Sequence, residues 1–133
     1  MARRSSCRRD RQVSTMVNPV VHFEIGSRDA GRLAGFYREL FGWTFDETDP
    51  AYPVVADTGK DGMGGGIMQL PEDVPPYVTV YVSVENLDDT LRRAEELGAS
   101  TIVKPTAIRD IGEFAMFTDP EGHVVGLFTT ATG

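Results

Sequence analysis

A histidine and a glutamate lie two residues apart in segment 20–25, whose residues alternate between apolar and polar types. That period of two is typical of a half-buried β-strand. His22 and Glu24 then share one face, about 6.5 to 7 Å apart, so both side chains can reach one ligand. His22 suits the role of general base or ligand-binding group, and Glu24 can tune it or accept a proton. The alternative is that His22 only lines the interior of the fold, hydrogen-bonded to Glu24 or a neighbour, and carries out no chemistry.

The elements that must position this pair follow from hydrophobic periodicity. Residues 30–41 place apolar side chains on one helical face, with Ser27 or Asp29 able to cap the start and Gly42 suited to the end. The apolar face of the first strand is therefore expected to pack on helices, while His22 and Glu24 face inward. Further strands are predicted at residues 43–45, 52–56 and 65–70.

The same order of elements then occurs a second time. Strand 77–84 places Thr79 and Tyr81 on one face and valines on the other, and the helix after it can begin at Asn86 and end at Gly98. One repeat alone would leave a sheet face wet, so two must pack together. We therefore predict an α+β domain over residues 18–130, in which two curled sheets close a cup with the helices outside. It consists of two βαβββ repeats, 18–72 and 76–130, offset by about 57 residues, and the last strands are predicted at 101–103, 114–118 and 124–129.

Several segments, in this order and spacing, resemble the vicinal oxygen chelate superfamily, which includes glyoxalase, bleomycin-resistance and extradiol dioxygenase proteins. The resemblance implies a cup-shaped mixed sheet and a small molecule bound in the cup between the repeats. The matching segments are 22–25, 36–37, 40–43, 64–67, 81–84, 97–98, 117–122 and 126–128.

Superfamily members that hold a metal use four side chains, one from the first and last strand of each repeat. The resemblance places these positions here at His22, Gln69, Thr79 and Gly126. Only His22 is a good ligand, Gln69 is a weak candidate, and Gly126 has no side chain, whereas zinc takes about four N, S or O ligands. We therefore expect no cofactor and no tightly bound catalytic metal, although a weakly bound divalent ion that uses Glu24 stays open.

Two functions remain open at this point. The first is a binding module that holds a small molecule without the usual metal, as drug-resistance relatives do. The second is a lyase, isomerase or dioxygenase-type enzyme, with or without metal, in which His22 and Glu24 are catalytic. In both cases the expected substrate-binding residues are Trp43, Met68, Gln69, Thr79, Tyr81 and Phe117.

Charge and composition limit the partners. Residues 1–13 hold five arginines and one acid, and the remaining residues carry eight basic and nineteen acidic side chains. Such an acidic body repels nucleic acid, and no apolar run approaches a membrane span. The basic segment 1–16 is predicted to be a disordered extension. Because Cys7 is the only cysteine, we expect a reducing, cytoplasmic location; a homodimer is a further expectation from the resemblance.

Overall fold

A computed structural model of the chain describes residues 17–108 and 110–130. The basic segment 1–16, with its predicted disorder and Cys7, lies outside the described residues. The elements in chain order are β1 (Val20–Ser27), α1 (Ala30–Phe41), β2 (Val54–Val55), β3 (Gly64–Gln69), β4 (Val78–Ser83), α2 (Leu87–Glu96), β5 (Ser100–Ile108), β6 (Gly112–Thr118) and β7 (Val124–Thr130).

The described strands form one mixed sheet in the order β2-β3-β1-β4-β7-β6-β5. At its centre β1 and β4, the first strands of the two repeats, run antiparallel to each other. Each also has a parallel neighbour from its own repeat, β3 for β1 and β7 for β4. The predicted α+β class is confirmed. The predicted mixed sheet is also confirmed, and the pairing of β1 with β4 joins the two repeats within it.

Both helices pack on the same face of this sheet. Ile25 packs under α1 and Val82 packs under α2. Ile25 is paired with Val78, which shares the face of Val82 because side chains alternate along a strand. The residues that alternate with them point away from both helices. We call that side the helix-free face, and it carries His22, Glu24, Thr79 and Tyr81.

The two helices agree with their sequence signals. Helix α1 has the predicted bounds, begins where the Asp29 side chain accepts a hydrogen bond from the Arg32 amide, and ends at Gly42 with φ of 75°. Helix α2 begins where Asn86 accepts a hydrogen bond from the Asp89 amide. Within the described part of the chain, neither helix is long and apolar enough to cross a membrane.

The first repeat has fewer strand residues than predicted. The expected strand at residues 43–45 is absent, and only an isolated bridge joins Asp46 to Val54. Pro53 has no amide proton to donate to a neighbouring strand, which limits the strand predicted at residues 52–56. In the segment 43–45, the Trp43 ring packs beside Phe41 with ring centroids 5.1 Å apart. The aromatic packing therefore holds this segment against α1 rather than in the ladder. In the second repeat β5 is longer than predicted, which the edge position of Pro105 permits.

Candidate functional site

Glu24 lies on the helix-free face and is only 3% exposed. Three tyrosine hydroxyls donate hydrogen bonds to its carboxylate: Tyr52 to Oε1 at 2.9 Å, Tyr77 to Oε2 at 2.7 Å and Tyr81 to Oε1 at 3.1 Å. A buried carboxylate is costly unless such donors replace its lost hydration. Glu24 therefore links β1 to β4 and to the segment before β2 through one shared acceptor.

Two glycines make room for two of these tyrosine rings. Gly66 is paired with Glu24 across β3 and β1, and a Cβ at Gly66 would collide with the Tyr52 ring. Gly126 is paired with Tyr81 across β7 and β4, and a Cβ at Gly126 would collide with the Tyr81 ring. Each ring thus lies against a strand position that has no side chain, which lets its hydroxyl reach Glu24.

The three tyrosines remain donors over the whole physiological range. Burial, followed by the negative charge of Glu24 and the hydrogen bond to it, raises the pKa of Tyr52 and of Tyr81 far above the usual value. Burial and its own hydrogen bond to Glu24 also raise the pKa of Tyr77. None of these phenols can act as a phenolate at neutral pH, so their role toward Glu24 is to donate protons in hydrogen bonds.

His22 extends this network toward its other side. Its Nε2 lies 3.0 Å from the Tyr52 hydroxyl. Because Tyr52 gives its one proton to Glu24, its oxygen accepts from His22, which assigns the imidazole proton to Nε2. Burial lowers the pKa of His22, and the charge of Glu24 opposes this only in part. The ring is neutral near pH 7, and its Nδ1 lone pair accepts no hydrogen bond from another described residue.

The positions expected from the metal-binding relatives do not form a metal site. Thr79 is 5% exposed and donates its hydroxyl to the carbonyl of Val124, while Gly126 has no side chain. Among the described residues, no three His, Cys, Asp or Glu side chains come together as metal ligands. His22 alone remains as a good ligand, and one imidazole does not meet the needs of zinc or of a harder cation.

Gln69 was expected to face the cup, and the structure corrects this. Its Oε1 accepts a hydrogen bond from the Ala30 amide at 2.9 Å and its Nε2 donates to the Arg28 carbonyl at 2.7 Å, so it holds the start of α1. Strand register also shows that Gly66, three residues earlier, is the counterpart of Gly126. The offset of 57 residues therefore does not hold for the last strands of the two repeats.

The predicted apolar walls are divided between the two faces of the sheet. Trp43 packs beside Phe23 on the helix side, with ring centroids 5.6 Å apart, and Phe117 packs against the buried cluster under α2. Neither of them lies on the helix-free face, which corrects their placement. Met68, which alternates with the buried Ile67, does lie on that face and is 38% exposed.

Sequence reasoning missed four residues around Glu24 and Tyr81. Tyr77 was recoverable, because it alternates with Thr79 and Tyr81. Tyr52 gave no signal, since it lies in an irregular segment 28 residues from Glu24. The other two come from β6: the Phe114 ring lies 6.5 Å from that of Tyr81, and Met116 Sδ lies 4.0 Å from the Tyr81 hydroxyl.

Two surface hollows lie away from this cluster. One, of about 410 Å³, is lined by the start of α2 and by residues near the β5–β6 turn. The other, of about 700 Å³, lies between the segment after α1 and the edge strand β2. Neither is lined by His22 or Glu24, so the polar cluster on the helix-free face is a separate feature.

Comparison with known proteins identifies relatives of the whole domain. The family described as a glyoxalase-like domain matches residues 21–128. This chain is 30% identical to each of two anthracycline biosynthesis proteins, DnrV of Streptomyces peucetius and DauV of Streptomyces sp. (strain C5). Each match covers 75% of this chain and 42% of the relative. The chain therefore spans about two fifths of the length of these curated relatives.

Solved structures give the same fold. The crystal structure of methylmalonyl-CoA epimerase from Mycobacterium tuberculosis matches with a TM-score of 0.59 at 14% identity, over 85% of this chain and 88% of that one. At such identity the likeness concerns the arrangement of strands and helices and says nothing about the reaction.

Proposed function

We propose that this chain, which belongs to the glyoxalase-like domain family of the vicinal oxygen chelate superfamily, binds a small organic molecule on its helix-free face. Binding uses His22 and needs no metal. The observation that carries this proposal is the network from His22 through Tyr52 to Glu24. It holds a neutral imidazole whose second nitrogen, Nδ1, is left to bind a small molecule. In superfamily members that hold a metal, the side chain at this position would coordinate the ion.

The chemistry of the surrounding residues favours a neutral or cationic ligand that offers a hydrogen-bond donor. His22 Nδ1 is an acceptor, and the partly exposed Phe114 and Met68 supply apolar and polarisable surface on the same face. The overall charge of −7 disfavours anions. Two relatives are named for anthracycline biosynthesis, so planar aromatic molecules with hydroxyl or amine groups are the first compounds to screen.

A thermal-shift screen on metal-free protein, limited to the neutral, hydroxyl-bearing compounds of this class, tests this proposal. Compounds of this class should raise the melting temperature in the presence of a chelator, since a ligand that binds only the folded state stabilises it. The same compounds should give a clearly smaller shift with His22→Gln, and an unchanged shift with His123→Gln. Ligands that need added metal, or that ignore His22, would contradict the proposal.

An enzyme that moves a proton is the second candidate, and the state of His22 favours it. A neutral imidazole whose Nε2–H is held by Tyr52 can act as a base at Nδ1, while Glu24 already accepts three hydrogen bonds and serves to orient rather than to abstract. In that case His22→Gln should lower kcat by about 10²- to 10⁴-fold, with little change in thermal stability. A binder would lose affinity and have no turnover to lose.

The proposal also covers the cellular location and the oligomeric state of the protein. We place it in the cytoplasm, because a single cysteine fits a reducing compartment, and we include a homodimer as its assembly. Sedimentation of the purified chain and localisation of a tagged chain test these two points.

A further inference from the structure

The larger surface hollow, about 700 Å³ in volume, is lined by none of the residues of the Glu24 network. We call it the edge groove. It runs between residues 41–46, which follow α1, and residues 54–59, which include the edge strand β2. Its volume is within the range of small-molecule sites.

The edge groove exists because a strand is missing. Residues 43–45 form no ladder with β2, and a single bridge between Asp46 and Val54 ties the two segments together. The backbone of this segment instead follows the aromatic cluster at the end of α1. The two segments therefore diverge where a continuous hairpin would have closed the space.

One wall of the edge groove is aromatic. Phe41, Trp43 and Phe45 all contribute to it, and the ring centroids of Phe41 and Trp43 are 5.1 Å apart. Phe41 is 56% exposed, although it is a large apolar residue. Aromatic faces of this kind attract organic cations as well as apolar groups.

The other lining groups give the edge groove a negative potential. Asp46 and Asp57 both line it, and none of the described residues that line it is a lysine, an arginine or a histidine. Hydrogen bonds from Thr48 hold the pKa of Asp46 below its usual range, so it is charged at neutral pH. The carboxyl end of α1 also points its partial negative charge here, and the nearby Arg38 is paired with Glu47 at 2.7 Å.

We propose that the edge groove is a second binding site, which takes a small organic cation such as a protonated amine or quaternary ammonium group carried on an aromatic body. The aromatic body packs against Phe41 and Trp43, and the cationic group lies near Asp46 and Asp57. This site is independent of the ligand proposed for the helix-free face, and either can exist without the other.

The only tryptophan of the chain lies in the edge groove, so its fluorescence reports binding directly. Titration with benzyltrimethylammonium should change Trp43 emission saturably, whereas benzyl alcohol and phenylacetate, which share the ring, should bind much more weakly. Added salt should weaken the binding of the cation, since its partners are exposed carboxylates.

Matched variants decide whether the edge groove is responsible. The double variant Asp46→Asn with Asp57→Asn keeps the hydrogen-bond acceptors and should weaken binding of the cation about three- to tenfold. Asp73→Asn, the same change at an exposed site outside the groove, should leave the affinity unchanged. Phe41→Leu, which keeps apolar volume without the ring, should also weaken binding. Equal binding of cation and alcohol, or an unchanged affinity in the double variant with native circular dichroism, would overturn the proposal.

Discussion

The Tyr52 hydroxyl donates a 2.9 Å hydrogen bond to Glu24 across 28 residues of sequence. The strand opposite Glu24 has a glycine, Gly66, in the space that the Tyr52 ring needs. In the second repeat a glycine again leaves space for a ring, but Gly126 is paired with Tyr81 itself, whose hydroxyl reaches the same carboxylate. Two positions without side chains thus allow two rings to pack around one buried carboxylate. For the same reason, neither Gly66 nor Gly126 can supply a side-chain ligand to a metal.

Removal of single hydroxyls should reveal how much each contributes to stability. Tyr52→Phe and Tyr81→Phe keep the ring but leave Glu24 with fewer donors, so each should lower the free energy of unfolding by about 1.5 to 3 kcal/mol. Tyr77→Phe should cost less, because Tyr77 is less buried than Tyr81 and water can replace its hydroxyl. Urea unfolding measures these losses.

The fourth tyrosine of the chain is the matched control for those variants. Tyr37 packs in the aromatic cluster on the helix side, and its hydroxyl makes no hydrogen bond with another described residue. Tyr37→Phe should therefore change stability by no more than about 0.5 kcal/mol. Equal losses at Tyr37 and Tyr81 would show that the hydrogen bonds to Glu24 are not the cause.

Alanine at the two glycines should test the packing of the rings. Gly66→Ala and Gly126→Ala force Tyr52 and Tyr81 to move, and each should cost about 1 to 3 kcal/mol. In a Tyr52→Ala background, Gly66→Ala should cost much less, because the ring it collides with is gone. Gly31→Ala, in helix α1 where a Cβ meets nothing within 4 Å, should be neutral or stabilising.

The state of His22 gives a pH dependence of stability. Its pKa in the folded protein lies below the ordinary value of about 6.5, so the unfolded chain takes up the proton first as pH falls. The free energy of unfolding should therefore decrease from pH 7.5 to pH 5.5. His22→Gln should reduce that decrease, and His123→Gln should not; the reverse pattern would show that His22 is not held neutral.

The donor set also predicts the result of metal loading. After incubation with Zn²⁺ or Mn²⁺ and desalting, the protein should retain well below one metal per chain, with an unchanged melting temperature. Cys7→Ser serves as the control for binding by the single cysteine thiol. Stoichiometric metal that survives desalting in Cys7→Ser and is lost in His22→Gln would contradict our reading of the site.

Local sequence patterns predicted much of this structure. Alternation along β1 and β4 placed His22, Glu24 and Tyr81 on one face, and apolar periodicity with Asp29 and Gly42 gave the bounds of α1. These signals act over a few residues, so they can be read without knowing the fold.

The remaining features depend on contacts between distant segments. Tyr52 reaches Glu24 only because Gly66 leaves space for its ring, and no short pattern links these three residues. The register that makes Gly66 the counterpart of Gly126 reflects different connection lengths in the two repeats, which shift the offset in the last strands. Packing of Trp43 against α1 likewise prevails over the strand propensity of its segment.

The most direct test of the central proposal is an NMR titration that follows the imidazole nitrogens of His22 while a neutral compound from the thermal-shift screen is added. Metal-free protein labelled with ¹⁵N-histidine, ¹³C-tyrosine and ¹⁵N-tryptophan allows His22, Tyr81 and the indole of Trp43 to be observed in parallel. We expect a saturable shift at His22 Nδ1 with a smaller one at Tyr81, and no shift at Trp43. A saturable shift at Trp43 with His22 unchanged would place the ligand on the other side of the sheet and contradict the proposal.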